Sequence, residues 1–124
     1  MDVRPTERTS LLELAREAVR RSLEDLAPPE VPDVLARLVE PRAAFVTLRR
    51  RGTGELRGCR GECPARRSLP ECVRRVAVSA ALDDTRFPSV TREELPRLSF
   101  EISALGPTRP IAPEEVEVGV HGLL

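Results

Sequence analysis

The residue pattern predicts an α+β chain, and three stretches carry that reading. Residues 10–27 put apolar side chains on one half of a helical wheel. Residues 43–61 read as a strand, a glycine-bounded turn and a second strand. Residues 98–104 alternate apolar and polar, as a half-buried strand does.

In the first helix, Leu11, Leu12, Leu14, Ala15, Ala18, Val19, Leu23 and Leu26 share one side, and Glu13, Arg16, Glu17, Arg20, Arg21 and Glu24 fill the other. Ser10 and Glu13 have capping-box spacing, and Pro28-Pro29 stops the helix. Residues 31–39 predict a short helix or a structured loop. In the run from Ala43 to Arg50, Ala44, Val46 and Leu48 point one way, and Phe45, Thr47 and Arg49 the other.

Gly52-Thr53-Gly54 suits a three-residue hairpin loop, because glycine accepts positive φ. That loop makes Arg51 face Glu55, Arg49 face Arg57 and Thr47 face Cys59. Arg49, Arg57, Thr47 and Cys59 then share a face, while Leu56 joins Ala44, Val46 and Leu48. A two-residue loop would pair Cys59 with Val46 instead, so the site turns on the register.

Ser68 and Glu71 form a second capping box, opening a helix from Leu69 to about Asp83. Leu69, Val73, Val76, Ala77 and Ala80 make its buried stripe, with Cys72 beside it as an inert thiol. Asp83-Asp84-Thr85-Arg86-Phe87-Pro88 leaves as a turn, and Thr91 to Leu95 is a single capped helical turn. Leu98, Phe100, Ile102 and Ala104 face the core from the next strand. A proline-rich connection follows. Val116, Val118 and Val120 predict a last strand that runs into His121. The apolar end at Leu123-Leu124 suggests a C-terminal truncation, or a short variant whose exposed last strand pairs with another chain to form an oligomer.

The 124 residues suit a single domain spanning 1–124, and 40% hydrophobic with 32% charged residues is a globular composition. No apolar run approaches the ~20 residues of a membrane span, and the first residues have no secretory apolar core. The expected location is therefore cytoplasmic, with no membrane partner. All 20 basic residues are arginine. Residues 42–75 hold ten arginines against three glutamates, an excess of +7. That segment would meet a phosphate, a nucleotide or RNA, or else forms a solvated surface. The three aromatics, Phe45, Phe87 and Phe100, suit a core better than a base-stacking platform. Cys59, Cys63 and Cys72 fit neither a disulfide framework nor zinc or radical-SAM cluster spacing, so no metal and no cofactor are expected.

The least generic stretch is Glu55-Leu56-Arg57-Gly58-Cys59-Arg60-Gly61. Arg57 and Cys59, two apart on a strand, would sit on one face at roughly 7 Å between Cα atoms. A guanidinium nearby favours thiolate over thiol. Gly58 and Gly61 would let a ligand approach the backbone and leave amides for an oxyanion. Cys59 is then the nucleophile, or simply fills a small space. His121 is its candidate base, or a structural strand end. Asp84 pairs with Arg86 to hold a turn, or faces the hairpin arginines. Arg49, Thr47, Gly58, Gly61, Asp84 and Arg86 complete the candidate binding set, with Arg57 as anion clamp.

Phe45-Val46-Thr47-Leu48, Gly54-Glu55-Leu56-Arg57-Gly58-Cys59, Asp84-Thr85-Arg86-Phe87-Pro88, Glu94-Leu95, Ile102-Ser103 and Gly119-Val120-His121-Gly122-Leu123, in that order, resemble the AMMECR-type domain family. The resemblance implies an α+β domain whose antiparallel sheet is organised around the Leu-Arg-Gly-Cys hairpin and packed against N-terminal and central helices. It implies a component-A role in an AmmeMemoRadiSam-type system, with Memo-type and radical-SAM proteins as associates. It brings no established reaction; an RNA-linked role is one suggestion for the family. Arg60 departs from the aliphatic residue usual after the cysteine. The family domain also continues past the His-Gly-Leu block.

Overall fold

A computed structural model of the chain describes residues 3–105. In order they form α1 (Pro5–Leu23), β1 (Ala44–Arg50), β2 (Leu56–Glu62), α2 (Leu69–Leu82) and β3 (Leu98–Ala104). Single 3₁₀ turns at Asp33–Leu35 and Leu95–Arg97 punctuate the connections. The strands form one antiparallel sheet in the order β2-β1-β3. Both helices lie on one face of it, α2 across β1 and β2, and α1 against α2 and β3. The α+β class and the antiparallel sheet are thus as expected.

Helix α1 starts five residues before its predicted N-terminus. Pro5 supplies the first helical φ, and the Glu7 carboxylate accepts the Arg4 amide at 2.8 Å. Ser10 is therefore an interior, buried residue and caps nothing. The stop also differs. Asp25 adopts φ 56°, and the Leu26 amide reaches back to the Arg21 carbonyl at 2.8 Å, so the helix closes before Pro28-Pro29 is reached. Helix α2 keeps its predicted bounds and stripe, although the Ser68 side chain makes no capping bond.

Ala44, Val46 and Leu48 from β1 meet Val73, Ala77 and Ala80 from α2 and Leu14, Ala15 and Val19 from α1 in one core. The opposite face of the sheet is open among the described residues. Phe45 is 36% exposed there, with Glu101 and Ser103 also exposed. The proposed last strand and His121 lie outside the described residues.

The hairpin holds the main correction. Thr47 faces Cys59 as predicted, but Leu48 faces Gly58 and Arg49 faces Leu56. Arg57 is the extra residue of a β-bulge. Four residues, Arg51 to Gly54, lie between the bonded Arg50 and Glu55, with Gly52 and Gly54 at φ +87° and +72°. Arg49 therefore does not face Arg57, and Leu56 does not join the core side of β1.

Candidate functional site

The bulge decides what surrounds Cys59. It removes Arg57 from the cysteine's face and buries its side chain, which keeps only 3% exposure. A guanidinium at that depth needs a counter-charge, and Glu94 provides it. Its two carboxylate oxygens accept from Arg57 Nε at 2.6 Å and Nη2 at 3.0 Å. Glu94 is positioned by a capping box with Thr91, whose hydroxyl accepts the Glu94 amide at 3.2 Å. The Arg57 hydrogen bonds hold the Glu94 carboxyl below its ordinary range, with Arg50 at 3.6 Å adding to the field. The sequence placed Glu94 in a capped turn but gave it no part in the site. Its signal was the Thr-x-x-Glu spacing before an apolar residue.

Asp84 is a buried hub. Its Oδ2 accepts the Cys59 backbone N–H at 3.0 Å and Arg86 Nη2 at 2.7 Å. Its Oδ1 accepts the Arg86 backbone N–H at 3.1 Å and Nε at 3.0 Å. These bonds, Arg86 first, hold the Asp84 carboxyl well below the usual carboxylate range. Asp84 thus fixes its own turn with Arg86, and it meets the hairpin through the Cys59 backbone amide and not through the hairpin arginines. The Arg86 side chain, 58% exposed, stacks 5.4 Å from the Phe87 ring centroid.

The two glycines have packing roles. A Cβ on Gly58 would collide with the Ala80 carbonyl oxygen of α2, so the helix backbone occupies the space reserved for a ligand. A Cβ on Gly61 would collide with the Phe45 ring. Arg60, whose Nη1 donates to the Asp83 carbonyl at 3.2 Å, lies exposed at the same edge.

Cys59 itself is half-buried, with Sγ 3.4 Å from the Thr47 hydroxyl. The neighbouring Arg49 pairs with Glu101 at 3.1 Å. The fold therefore gathers Thr47, Cys59, Asp84, Arg86 and, at the margin, Arg49. It turns Arg57 away. Cys72 is buried, and desolvation pushes its thiol up from the ordinary cysteine value.

Most arginines of the basic segment are engaged within the fold, but only some meet a counter-charge. Arg42, Arg51, Arg60 and Arg74 donate to backbone carbonyls, while Arg49, Arg50, Arg57 and Arg67 meet carboxylates. Among the described residues no three potential metal-ligating side chains cluster, and no helix is long and apolar enough to cross a membrane.

A family model described as AMMECR1 matches residues 12–124. A protein of Aeropyrum pernix is 43% identical over 122 residues, covering 92% of this chain and 52% of its own length. Protein TK0174 of Thermococcus kodakarensis is 38% identical over 126 residues, covering 92% of this chain and 60% of its own length. The crystal structure of the uncharacterised protein PH0010 from Pyrococcus horikoshii superposes with a TM-score of 0.82 at 35% identity, covering 88% of this chain and 59% of that one. The chain thus spans between half and about three fifths of the length of these relatives.

Proposed function

The chain belongs to the AMMECR1 family, and from that premise we propose that it is a binding module whose contact surface is the open sheet face around Cys59. One observation carries this reading: among the described residues, the groups beside Cys59 that a nucleophile would draw on are already bonded inside the fold. The Cys59 amide is taken by Asp84, Arg57 by Glu94, and the glycine clearances by Ala80 and Phe45. Among the described residues, what reaches solvent there is a mixed patch of Phe45, Thr47, Cys59 and the Arg49–Glu101 pair, the amphipathic composition of a protein contact rather than of a closed reaction pocket.

The partners proposed are the Memo-type and radical-SAM proteins that accompany this kind of domain, with this chain as component A. The test is calorimetric titration of the purified chain with each of those proteins from the same genome. Iodoacetamide labelling of Cys59 is followed in parallel. We expect one of them to bind and slow labelling at Cys59 more than at Cys63, and Phe45→Ala to weaken the complex. The reading fails if neither binds, or if binding leaves Cys59 labelling unchanged. Adducts on Cys59 with an acyl or electrophilic substrate would put cysteine chemistry in its place. Binding of RNA that collapses steeply with added salt would put the basic segment in its place.

A further inference from the structure

A cleft of about 430 Å³, none of whose lining residues belongs to the Cys59 hairpin, opens between the two helices. Its α2 wall repeats at the spacing of one helical face: Glu71, then Arg74 and Arg75, then Val78 and Ser79. Arg67 stands at its N-terminal end. The facing wall is Ala18 and Ser22 of α1 with Leu26 and Pro28 beyond its end, and the last two are placed by how α1 stops. The left-handed turn at Asp25 swings Leu26 and Pro28 out beside α2, and Leu26 is left 47% exposed. The cleft thus sets an aliphatic side chain and the arginines of α2 along the same lining.

The charges are not evenly satisfied. Arg67 is matched by Glu62 at 3.1 Å. Arg74 is anchored by the Pro29 carbonyl at 2.7 Å, with Glu71 at a distant 3.8 Å. Among the described residues Arg75 meets no carboxylate or carbonyl. Three arginines line the cleft against Glu71 and Asp83, and Glu62 offsets Arg67, so the formal charges balance and Arg75 is the guanidinium left without a partner among the described residues. Arg74 is thus oriented by a backbone oxygen that carries no full charge, and Arg75 is unmatched.

We infer that this cleft binds a small organic anion: a phosphate or carboxylate held by Arg74 and Arg75, joined to an apolar body that lies on Leu26, Pro28 and Val78. The cleft volume suits a ligand of that size. Inorganic phosphate alone would forgo the apolar contacts, and a neutral hydrocarbon would forgo the arginines.

The test compares 1-naphthyl phosphate, inorganic phosphate and 1-naphthol on the 124-residue chain, read by amide chemical shifts. Naphthyl phosphate should bind at least about tenfold more tightly than either half-ligand, a factor typical of one added charge-assisted or apolar contact. Its shifts should centre on Ser22, Leu26, Val78 and Ser79. Arg75→Ala removes an exposed side chain that no described partner holds, so it leaves the fold intact and should weaken binding about tenfold. Leu26→Ser should weaken naphthyl phosphate and leave inorganic phosphate unchanged. Equal affinity for phosphate and naphthyl phosphate would overturn the inference. So would shifts centred on another surface, or unchanged affinity in Arg75→Ala.

Discussion

Gly58→Ala tests whether the Leu-Arg-Gly-Cys strand is shaped by packing or by a ligand. The added methyl would lie more than half an ångström inside the closest approach that real Cβ atoms show, and the obstructing atom is the Ala80 carbonyl oxygen. That oxygen belongs to the backbone of α2, whose neighbours Ala77, Ala80 and Ala81 are all buried. It cannot swing aside; the helix or the strand must shift as a unit. Overpacking of this kind costs about 1–3 kcal/mol. For a domain of this size that corresponds to a fall in Tm of roughly 3–15 °C.

Gly61→Ala is the internal control. Its Cβ would collide just as closely, but with the Phe45 ring, a side chain 36% exposed on the open face. Rotating that ring costs about 1 kcal/mol or less. Thermal and urea unfolding of both variants give the comparison. If Gly58→Ala moves Tm by less than about 2 °C, or if Gly61→Ala costs as much, the packing account of the motif is wrong.

Four further outcomes follow from the same contacts. Glu94→Gln leaves the Arg57 guanidinium buried without a counter-charge and should cost about 3 kcal/mol in urea unfolding. Asp84 contributes stability that is fully present above about pH 4 and is lost as pH falls toward its depressed folded value. Tm measured from pH 6 to 3 should therefore fall more steeply for the wild type than for Asp84→Asn. Asp25→Gly relieves a left-handed backbone at a helix end and should stabilise by about 0.5–1 kcal/mol, read as a shift in urea midpoint. In the native protein iodoacetamide should modify Cys59 and Cys63 and spare Cys72, as peptide mass fingerprinting would show.

The sequence made the helices and strands legible because their apolar spacing reports the core directly. Leu98 to Ala104 and the stripe from Leu69 to Ala80 needed nothing else. The start of α1 was hidden because Ser10 imitates a cap, whereas the working device is Pro5 with Glu7, polar residues that hydropathy does not weigh. The site was only half legible. Thr47 opposite Cys59 was foreseeable from strand alternation. The bulge at Arg57 was not, because the partner that receives its side chain, Glu94, lies 37 residues away in the chain. A charge partner at that separation leaves no local pattern. Asp84 stood out as one of a pair with Arg86, but its bond to the Cys59 amide is a tertiary contact with a backbone group, which no side-chain pattern announces.

That bond bears on how the sheet is bounded. β2 is an outer strand of the described sheet, and an outer strand normally offers its free amides to any extended chain that drifts past. At Cys59, near the middle of β2, the outward amide already ends on a carboxylate. An incoming strand would have to displace Asp84 from Arg86 as well, and then leave a charge facing its own carbonyls. The Asp84 turn works as a selvedge: at this point it finishes the margin of the described sheet, so a strand added along β2 would meet a carboxylate there, a barrier that no described group sets beside β3.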